Sequence, residues 1–373
     1  MRLITDLQPE EVEQVLRGWG EPAYRARQLL HAVYRQLAPS FDEMTGLPQG
    51  LRARLAVEFA LSGLSLEARR ESGDGLTAKY LFRLHDGNSI ESVLMRYPSR
   101  AGSRARTTAC ISTQVGCAVG CPFCATGASG FVRNLSTGEI VGQALTLARE
   151  AWDGGRRAAR QHGLSNVVFM GMGEPLANYD ATLGAVRLLT HRQGFGMGAR
   201  RLTISTAGMA PQILRLASDA SQVNLSISLH AADDRLRDRL VPLNRRYPLA
   251  RLTDACRAHQ AQTGRRPTFE YVLLERVNDG REHAEALARL LGGMDAHVNL
   301  IRAYPVAGCP YAPSSRPRAL AFQRFLTELG VKNTMRAERG GDIEAGCGQL
   351  RAGVLSGGKT SRERGEAPGR AKS

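Results

Sequence analysis

The feature of this sequence that most constrains its fold is a regular alternation of strand-like and helix-like segments. Apolar runs typical of strands cover residues 107–113, 166–170, 201–206, 223–229, 268–274, 297–303 and 331–336. Segments with helical spacing of apolar residues lie between them, at 137–152, 179–191, 209–220, 249–261, 283–291 and 318–329. Such alternation is typical of parallel strands with helices outside. It predicts an α/β fold, a partial or full (β/α) barrel, with functional residues at the C-terminal strand ends.

The residues before this alternation have a different character. Residues 9–61 predict helices, because 10–19 and 23–37 carry apolar residues at helical spacing. Residues 76–96 predict two strands joined by a tight turn, which is a β-hairpin. Residues 351–373 are rich in glycine, serine and basic residues, a composition typical of disorder. The predicted organisation is a helical accessory domain (1–70), a hairpin extension and linker (71–102), a core (103–350) and a disordered basic tail (351–373).

The charge and the cysteine content narrow the class of protein. A formal net charge of +15 favours a polyanionic partner such as nucleic acid, although a generally basic proteome would give the same excess. No run approaches about 20 apolar residues, and the N-terminus lacks the apolar core of a signal peptide, so we expect no membrane association. Seven cysteines, an odd number, favour reduced thiols over a disulfide framework. We therefore expect a cytoplasmic protein.

Three cysteines with the spacing C-x3-C-x2-C follow the first predicted barrel strand. Cys117, Cys121 and Cys124 supply three thiolates, whereas four would close a tetrahedral zinc or iron–sulfur site. Three thiolates can hold three irons of a [4Fe–4S] cluster and leave the fourth iron free for a substrate. The alternative is a zinc loop with its fourth ligand elsewhere. That alternative is less favoured, because structural zinc ligands usually come as cysteine pairs.

This loop resembles the cluster motif of the radical S-adenosylmethionine (radical-SAM) superfamily. The resemblance implies that the free iron binds SAM and that electron transfer from the cluster yields a 5′-deoxyadenosyl radical. It also implies a SAM site at the strand ends, made by Gly173, Glu174, Ser205, Ser228, Leu229 and His230. Taken alone, the turn at 171–175 is a weak motif, and the serines by themselves favour an interpretation as helix N-caps.

Two further cysteines lie in positions of interest. Cys110 lies in the strand before the cluster loop, and Cys347 lies between two glycines near the end of the core. A buried apolar role explains Cys110 equally well, but it fits Cys347 poorly. Cys256 and Cys309 are assigned to such structural roles.

Together these features resemble the RlmN/Cfr family of radical-SAM RNA methyltransferases. The segments that carry the resemblance are 20–28, 91–93, 110–117, 130–135, 171–175, 202–206, 228–231, 242–247, 269–272 and 345–350. They cover nearly everything before the tail. The resemblance implies a radical-SAM core with a partial (β/α)6-type barrel and an N-terminal helical domain that binds RNA.

The resemblance also implies a two-stage reaction. One SAM methylates Cys347, and a radical derived from a second SAM takes hydrogen from the S-methyl group, so that the resulting carbon radical adds to adenine. Cys110 then assists release by forming a transient disulfide with Cys347, and Glu91 is the proton acceptor. A radical is needed because the electrophilic ring carbon cannot attack a sulfonium methyl group.

The leading hypothesis is methylation of adenine carbon 2 in 23S rRNA, with tRNA as a second substrate. The chain is expected to act as a monomer with an electron donor such as flavodoxin or ferredoxin. The alternatives are carbon 8 methylation, as in the Cfr branch, and a non-enzymatic zinc-stabilised RNA-binding protein. Methylthiotransferases need a second cluster from N-terminal cysteines, and no cysteine precedes Cys110.

Three positions depart from the family pattern. Tyr304 stands where family members have an asparagine that contacts SAM, so Tyr304 takes the place of a SAM contact. Gly341 replaces an acidic residue, and Gly346 replaces an alanine beside Cys347. We therefore expect a divergent member that still uses SAM.

Overall fold

The computed structural model describes residues 2–99, 104–152 and 163–351. Its strands are β1 (Arg2–Leu3), β2 (Phe59–Ala60), β3 (Leu64–Glu71), β4 (Thr77–Leu84), β5 (Ser89–Tyr97), β6 (Arg106–Cys110), β7 (Gln114–Gly116), β8 (Phe131–Asn134), β9 (Asn166–Phe169), β10 (Leu202–Thr206), β11 (Asn224–Ser228), β12 (Thr268–Leu273), β13 (His297–Arg302) and β14 (Asn333–Met335). Its helices are α1 (Pro9–Gly18), α2 (Tyr24–Tyr34), α3 (Gln49–Glu58), α4 (Ala125–Ala128), α5 (Thr137–Ala151), α6 (Tyr179–Thr190), α7 (Ala210–Asp219), α8 (Asp234–Leu240), α9 (Leu249–Thr263), α10 (Arg281–Leu291) and α11 (Arg316–Glu328). The predicted disordered tail lies outside the described residues, apart from Arg351.

The predicted barrel is present and is open. One ten-stranded sheet has the order β14-β13-β12-β11-β10-β9-β6-β5-β4-β3, and its pairs from β14 to β6 are parallel. A helix follows each parallel strand before the next begins, in the units β6–α5, β9–α6, β10–α7, β11–α9, β12–α10 and β13–α11. Central strands such as β12 are almost entirely buried, because helices cover one face and the barrel interior covers the other. These six units confirm the (β/α)6-type partial barrel.

The predicted hairpin is confirmed, but it is part of a larger structure. Strands β4 and β5 pair antiparallel around the turn at 85–88, and β5 also pairs with β6. The hairpin therefore extends the barrel sheet directly. A third strand, β3, pairs with β4. It crosses the predicted boundary between the helical accessory domain (1–70) and the hairpin extension (71–102). The sequence analysis missed β3 because it is a half-exposed edge strand rich in charged residues, with little apolar signal.

The predicted N-terminal helices are present as α1 and α2, and they pack directly on the barrel. Their apolar faces belong to the same hydrophobic core as the barrel strands and α5. Arg149 of α5 donates to the carbonyls of Leu37 and Ala38, at 2.8 and 3.1 Å. Asp6 accepts a hydrogen bond from the Gly138 amide at the start of α5. Within the described ranges, no helix has the length and apolar character needed to cross a membrane.

Helix α9 contains a buried histidine that affects stability. His259 is 1% exposed, and neither ring nitrogen has a hydrogen-bond partner among the described residues. Burial, with a smaller contribution from Arg265, lowers its pKa from 6.5 to about 4. Between these two values the unfolded chain binds a proton that the folded protein rejects. Stability is therefore lost as the pH falls from 6.5 through about 4.

We expect His259→Leu to stabilise the protein. The substitution removes two unsatisfied buried polar atoms and fills the same space, so the free energy of unfolding at pH 7 should rise by about 1 kcal/mol. The gain should be larger at pH 5, because the variant has no histidine to protonate on unfolding. Urea unfolding at both pH values measures this, with His31→Leu on the exposed face of α2 as the control. Equal gains at both pH values would contradict the titration argument.

Candidate active site

One cavity at the C-terminal ends of the barrel strands collects most of the predicted site residues. Its lining includes Cys110, Cys117, Cys121, Cys124, Gly173, Glu174, Ser205, Ser228, His230, Tyr304 and Cys347. Leu229 is fully buried behind the wall, where its amide donates to the Glu270 carbonyl at 3.0 Å. Leu229 and Glu91 are the two predicted residues that do not line this cavity. Residues far apart in sequence therefore meet at one place, as the barrel topology requires.

A small hairpin that the sequence analysis missed holds the cysteine loop. Strands β7 and β8 pair antiparallel on either side of the loop, and the Cys117 amide donates to the Gly130 carbonyl at 2.8 Å. Gly116 has φ +72°, and a Cβ there would lie 1.8 Å from the Gly130 oxygen. Only glycine fits at this position. The hairpin was not predicted because β7 is too short to show a pattern of alternation.

The three cysteines of the loop form a partly buried set of sulfur donors. Cys117, Cys121 and Cys124 line the same cavity, and burial raises the pKa of Cys117 to about 12 and that of Cys121 well above its usual value. Three thiolates in such a site need a bound cation to compensate their charge. In the described part of the chain, no three His, Cys, Asp or Glu side chains converge on a single ion. A cubane does not require that convergence, because each thiolate binds a different iron, so the three cysteines fit a [4Fe–4S] cluster.

The turn after β9 places Glu174 in the cavity wall. Gly173 has φ +101°, and a Cβ there would lie 2.6 Å from the Gln114 side chain, so glycine allows the turn to pack against the cysteine hairpin. The buried Glu174 carboxylate accepts hydrogen bonds from the amides of Ala207 (2.6 Å) and Leu176 (3.0 Å). Burial raises its pKa, and these hydrogen bonds partly offset that effect. The carboxylate is therefore held rigidly beside the cluster loop.

Ser205 and Ser228 lie near the C-terminal ends of the next two strands, and their hydroxyl oxygens are 3.4 Å apart. Neither serine caps a helix, since the N-cap residues of α7 and α8 are Met209 and Asp233. The capping interpretation is therefore wrong for both serines. Their hydroxyls are left to line the cavity and can bind a polar ligand there.

His230 follows β11 and has an unusual backbone conformation, with φ +64°. Its Nδ1 accepts a hydrogen bond from the Val272 amide at 3.1 Å, and its ring packs edge-to-face with that of Phe123, with 4.9 Å between the ring centroids. Burial, together with Arg237, lowers its pKa to about 3, so the ring is neutral near pH 7. Because Nδ1 is an acceptor, Nε2 carries the proton and can donate it to a ligand.

The loop after β14 carries Cys347 to the cavity. This loop is hydrogen-bonded to the start of α4: the Ala125 amide donates to the Gly348 carbonyl at 2.7 Å, and the Thr126 hydroxyl donates to the Leu350 carbonyl. Cys347 is accessible from the cavity, although the surrounding walls desolvate its thiol and raise its pKa.

Cys110 lies at the end of β6 and lines the same cavity. Burial and, to a lesser extent, the neighbouring Cys347 raise the pKa of its thiol to about 12. Both cysteines are free thiols. Both thiols line the same cavity.

Glu91 has a different environment from the one expected of a proton acceptor. Its carboxylate forms a buried ion pair with Lys79 at 3.2 Å and accepts a hydrogen bond from the Arg351 amide at 3.0 Å. The Lys79 ammonium group also donates to the Glu344 carbonyl at 3.2 Å. The pair therefore holds both ends of the segment that contains Cys347. The catalytic role of Glu91 remains a prediction.

The sequence analysis assigned no role to two charged residues that line the cavity. Arg336, just after β14, forms an ion pair with Glu270 of β12 at 3.2 Å. Burial lowers the pKa of Arg336, but Cys347 and Glu270 more than offset this, and its net shift is upward. Conversely, Arg336 lowers the pKa of Cys347. Glu270 lies in one of the segments that carry the family resemblance, which is the only signal that marked it.

A fully buried arginine supports the wall beneath the serines. Arg237 of α8 donates to the carbonyls of Leu229 and Ala207, at 3.0 and 2.6 Å, and to the Asn244 side chain at 2.7 Å. These bonds join the ends of β10 and β11. No local sequence pattern indicated this role, because its acceptors come from separate segments.

Comparisons with known proteins agree with this geometry. Residues 111–291 match the family model of the radical SAM superfamily, and residues 3–61 match that of the ribosomal RNA large subunit methyltransferase N-terminal domain. A protein of Roseiflexus sp. (strain RS-1), named probable dual-specificity RNA methyltransferase RlmN, is 48% identical over 384 residues, covering 92% of this chain and 95% of the relative. A protein of the same name from Thermotoga neapolitana is 46% identical over 352 residues, covering 94% of this chain and 98% of the relative.

A solved structure is similar over nearly the whole chain. The crystal structure of a radical SAM methyltransferase from Sphaerobacter thermophilus has 50% sequence identity and a TM-score of 0.89. The match covers 95% of this chain and all of the other. The described fold is therefore shared with a radical SAM methyltransferase along its length.

Proposed function

Since this chain belongs to the RlmN family of radical-SAM RNA methyltransferases, we propose that it methylates carbon 2 of adenine in 23S rRNA, with tRNA as a second substrate. The observation that carries this proposal is the meeting of Cys110, Cys347 and the three-cysteine loop in one cavity. The relatives' names, which specify dual-specificity RNA methyltransferases, support both the RNA substrate and its duality.

The family implies SAM and a [4Fe–4S] cluster as cofactors, and we assign one cluster to Cys117, Cys121 and Cys124. When bound, cluster and SAM supply the one-electron chemistry that removes hydrogen from a methyl group. Glu174 is the acceptor for the amino group of SAM, because its carboxylate is buried and rigidly held. The neutral His230 donates through Nε2, and the hydroxyls of Ser205 and Ser228 are further contacts. Leu229 supports this wall from behind.

Cys347 is the methyl carrier. Its thiol loses a proton and attacks the methyl group of SAM, so that a carbon–sulfur bond forms at Sγ as the sulfonium bond breaks. Arg336 favours the thiolate by its positive charge. Once methylated, the side chain lies in the cavity where hydrogen abstraction takes place, and its exposure makes the sulfur accessible to an RNA base.

Cys110 is the resolving thiol: its sulfur bonds to the Cys347 sulfur as the bond from that sulfur to the methylene carbon breaks. The carbon takes up a proton, and the methylated base is released. We keep Glu91 as the proposed proton acceptor, and its ion pair with Lys79 additionally secures the loop. The N-terminal helical domain is proposed to contact RNA, in agreement with its family match and the net charge of +15. Flavodoxin or ferredoxin is the proposed electron donor, and the proposed state is a monomer.

The function is tested by anaerobic reconstitution with iron and sulfide, followed by incubation with 23S rRNA and methyl-labelled SAM. We expect about four irons and four sulfides per chain and 2-methyladenosine in the digested RNA. The control variant Cys121→Ala lacks one thiolate and should lose both the cluster and the methylation.

The other outcomes separate the alternatives. If the product is 8-methyladenosine, the methylated ring position is carbon 8 and not carbon 2. One zinc without sulfide would identify a zinc-stabilised RNA-binding protein and refute the enzymatic proposal.

A further inference from the structure

Tyr304, which follows β13, lies between the barrel and the loop that carries Cys347. Its hydroxyl oxygen accepts a hydrogen bond from the Arg339 amide at 2.8 Å and donates one to the Arg339 carbonyl at 3.2 Å. One side chain thus binds both polar groups of one peptide residue in the loop. The ring also lines the cavity, so its position affects the loop and the site together.

Two glycines of the same loop lie against opposite edges of this ring. A Cβ on Gly341 would lie 2.9 Å from Cε1 of Tyr304, and a Cβ on Gly346 would lie 2.5 Å from both Cδ2 and Cε2. Carbon atoms do not approach so closely without displacement, so the ring leaves no room for a side chain at either position.

The backbone conformation does not explain these glycines. Neither Gly341 nor Gly346 has a positive φ, whereas Gly340 and Gly348 in the same loop do. No left-handed φ therefore requires glycine at these two positions. Their small size is therefore required by the tyrosine ring, and the three departures from the family pattern form one packing unit.

We propose that Tyr304 is a positioning residue for Cys347: its ring, inserted between Gly341 and Gly346, and its hydrogen bonds to Arg339 set where the sulfur stands over the cavity. Cys347 directly follows Gly346, so any shift of the packing unit moves the sulfur. A second link strengthens the loop at the same place. Gln349 accepts from the Gly346 amide at 3.0 Å and donates to the carbonyl of Pro305 at 3.3 Å.

This proposal rests on the proposed function, in which the Cys347 sulfur must meet a sulfonium methyl group and later an adenine. Misplacement of reacting atoms by about 1 Å costs on the order of 100-fold in rate. By holding the loop in place, the Tyr304 ring is therefore expected to raise the rate of methyl transfer by a large factor, although the ring itself takes no part in the chemistry.

A double-mutant cycle tests whether the Tyr304 ring positions the loop through Gly346. We expect Gly346→Ala to slow methylation of Cys347 by about 100-fold, because the new methyl group displaces the loop from the ring. In a Tyr304→Ala background the same substitution should have an effect of less than about threefold, because the space is vacant. In a Tyr304→Phe background the loss should remain, because the ring is still there.

A second readout does not depend on catalysis. In protein without SAM, iodoacetamide alkylates the Cys347 thiol, and mass spectrometry of the peptide that contains Cys347 gives the rate. We expect Gly346→Ala to change this rate only when residue 304 keeps its ring. Gly198→Ala is the matched control, since Gly198 has φ −63° and open space around its Cα. Thermal unfolding of each variant shows whether the fold is retained. If Gly346→Ala does not fold, Gly341→Ala replaces it at the opposite edge of the ring.

The outcomes separate the two claims. An equal effect of Gly346→Ala with and without the ring, or no effect at all, would refute the positioning role of Tyr304. Methylation by the wild-type protein would still support the proposed function in that case. A wild-type protein that methylates no RNA, but whose thiol reactivity follows the cycle, would refute the proposed function and support the positioning role.

Discussion

A Cys347→Ala variant is expected to transfer no methyl group to RNA, a loss of more than about 1,000-fold, because the covalent methyl carrier is gone. Reductive cleavage of SAM should persist. The proposed cluster ligands, Cys117, Cys121 and Cys124, lie on a separate loop, which is framed by β7 and β8. The two activities are measured in one anaerobic reaction, by label in RNA and by chromatography of the SAM-derived products.

The matched control for this variant is Cys309→Ala. Cys309 lies in a loop and is not among the residues that line the cavity, so its replacement should leave both activities near those of the wild type. Methylated RNA from the Cys347 variant would refute the role of the thiol as methyl carrier. Loss of both SAM cleavage and RNA methylation would instead place Cys347 among the groups that hold the cluster or SAM.

A Cys110→Ala variant is expected to accumulate a covalent RNA–protein adduct. Within the described ranges, Cys110 and Cys347 are the two thiols in the cavity lining outside the cluster loop. Without the Cys110 thiol, no partner for the disulfide remains when the base must leave. Turnover should stop at about one per enzyme molecule. Labelled RNA that migrates with protein on a denaturing gel measures the adduct, and digestion with mass analysis locates it.

The Cys110→Ala/Cys347→Ala double variant provides the control, since it lacks the Cys347 sulfur to which the RNA would attach. It should form no adduct under the same conditions. Multiple turnovers by Cys110→Ala without a gel shift would show that another group releases the product. An adduct in the double variant would move the site of attachment away from Cys347.

The sequence by itself determined the six strand–helix units of this protein and the position of the three-cysteine loop. Strand and helix periods are properties of neighbouring residues, so the six strand–helix units were readable before any contact was known. The spacing of Cys117, Cys121 and Cys124 is equally local, because three ligands within eight positions share one loop in any fold. The order of the units then placed that loop at the C-terminal edge of the sheet.

Only the tertiary structure decided which distant residues meet. The edge strand β3, with its weak apolar signal, joins the sheet because β4 offers it a partner. Glu91 is tied to Arg351, and Arg336 reaches Glu270, through contacts between segments far apart in the chain. The glycines beside Tyr304 are explained only by the atoms that fill the neighbouring space. Local sequence encodes backbone periodicity, whereas packing and ion pairing depend on side chains that folding alone brings within contact distance.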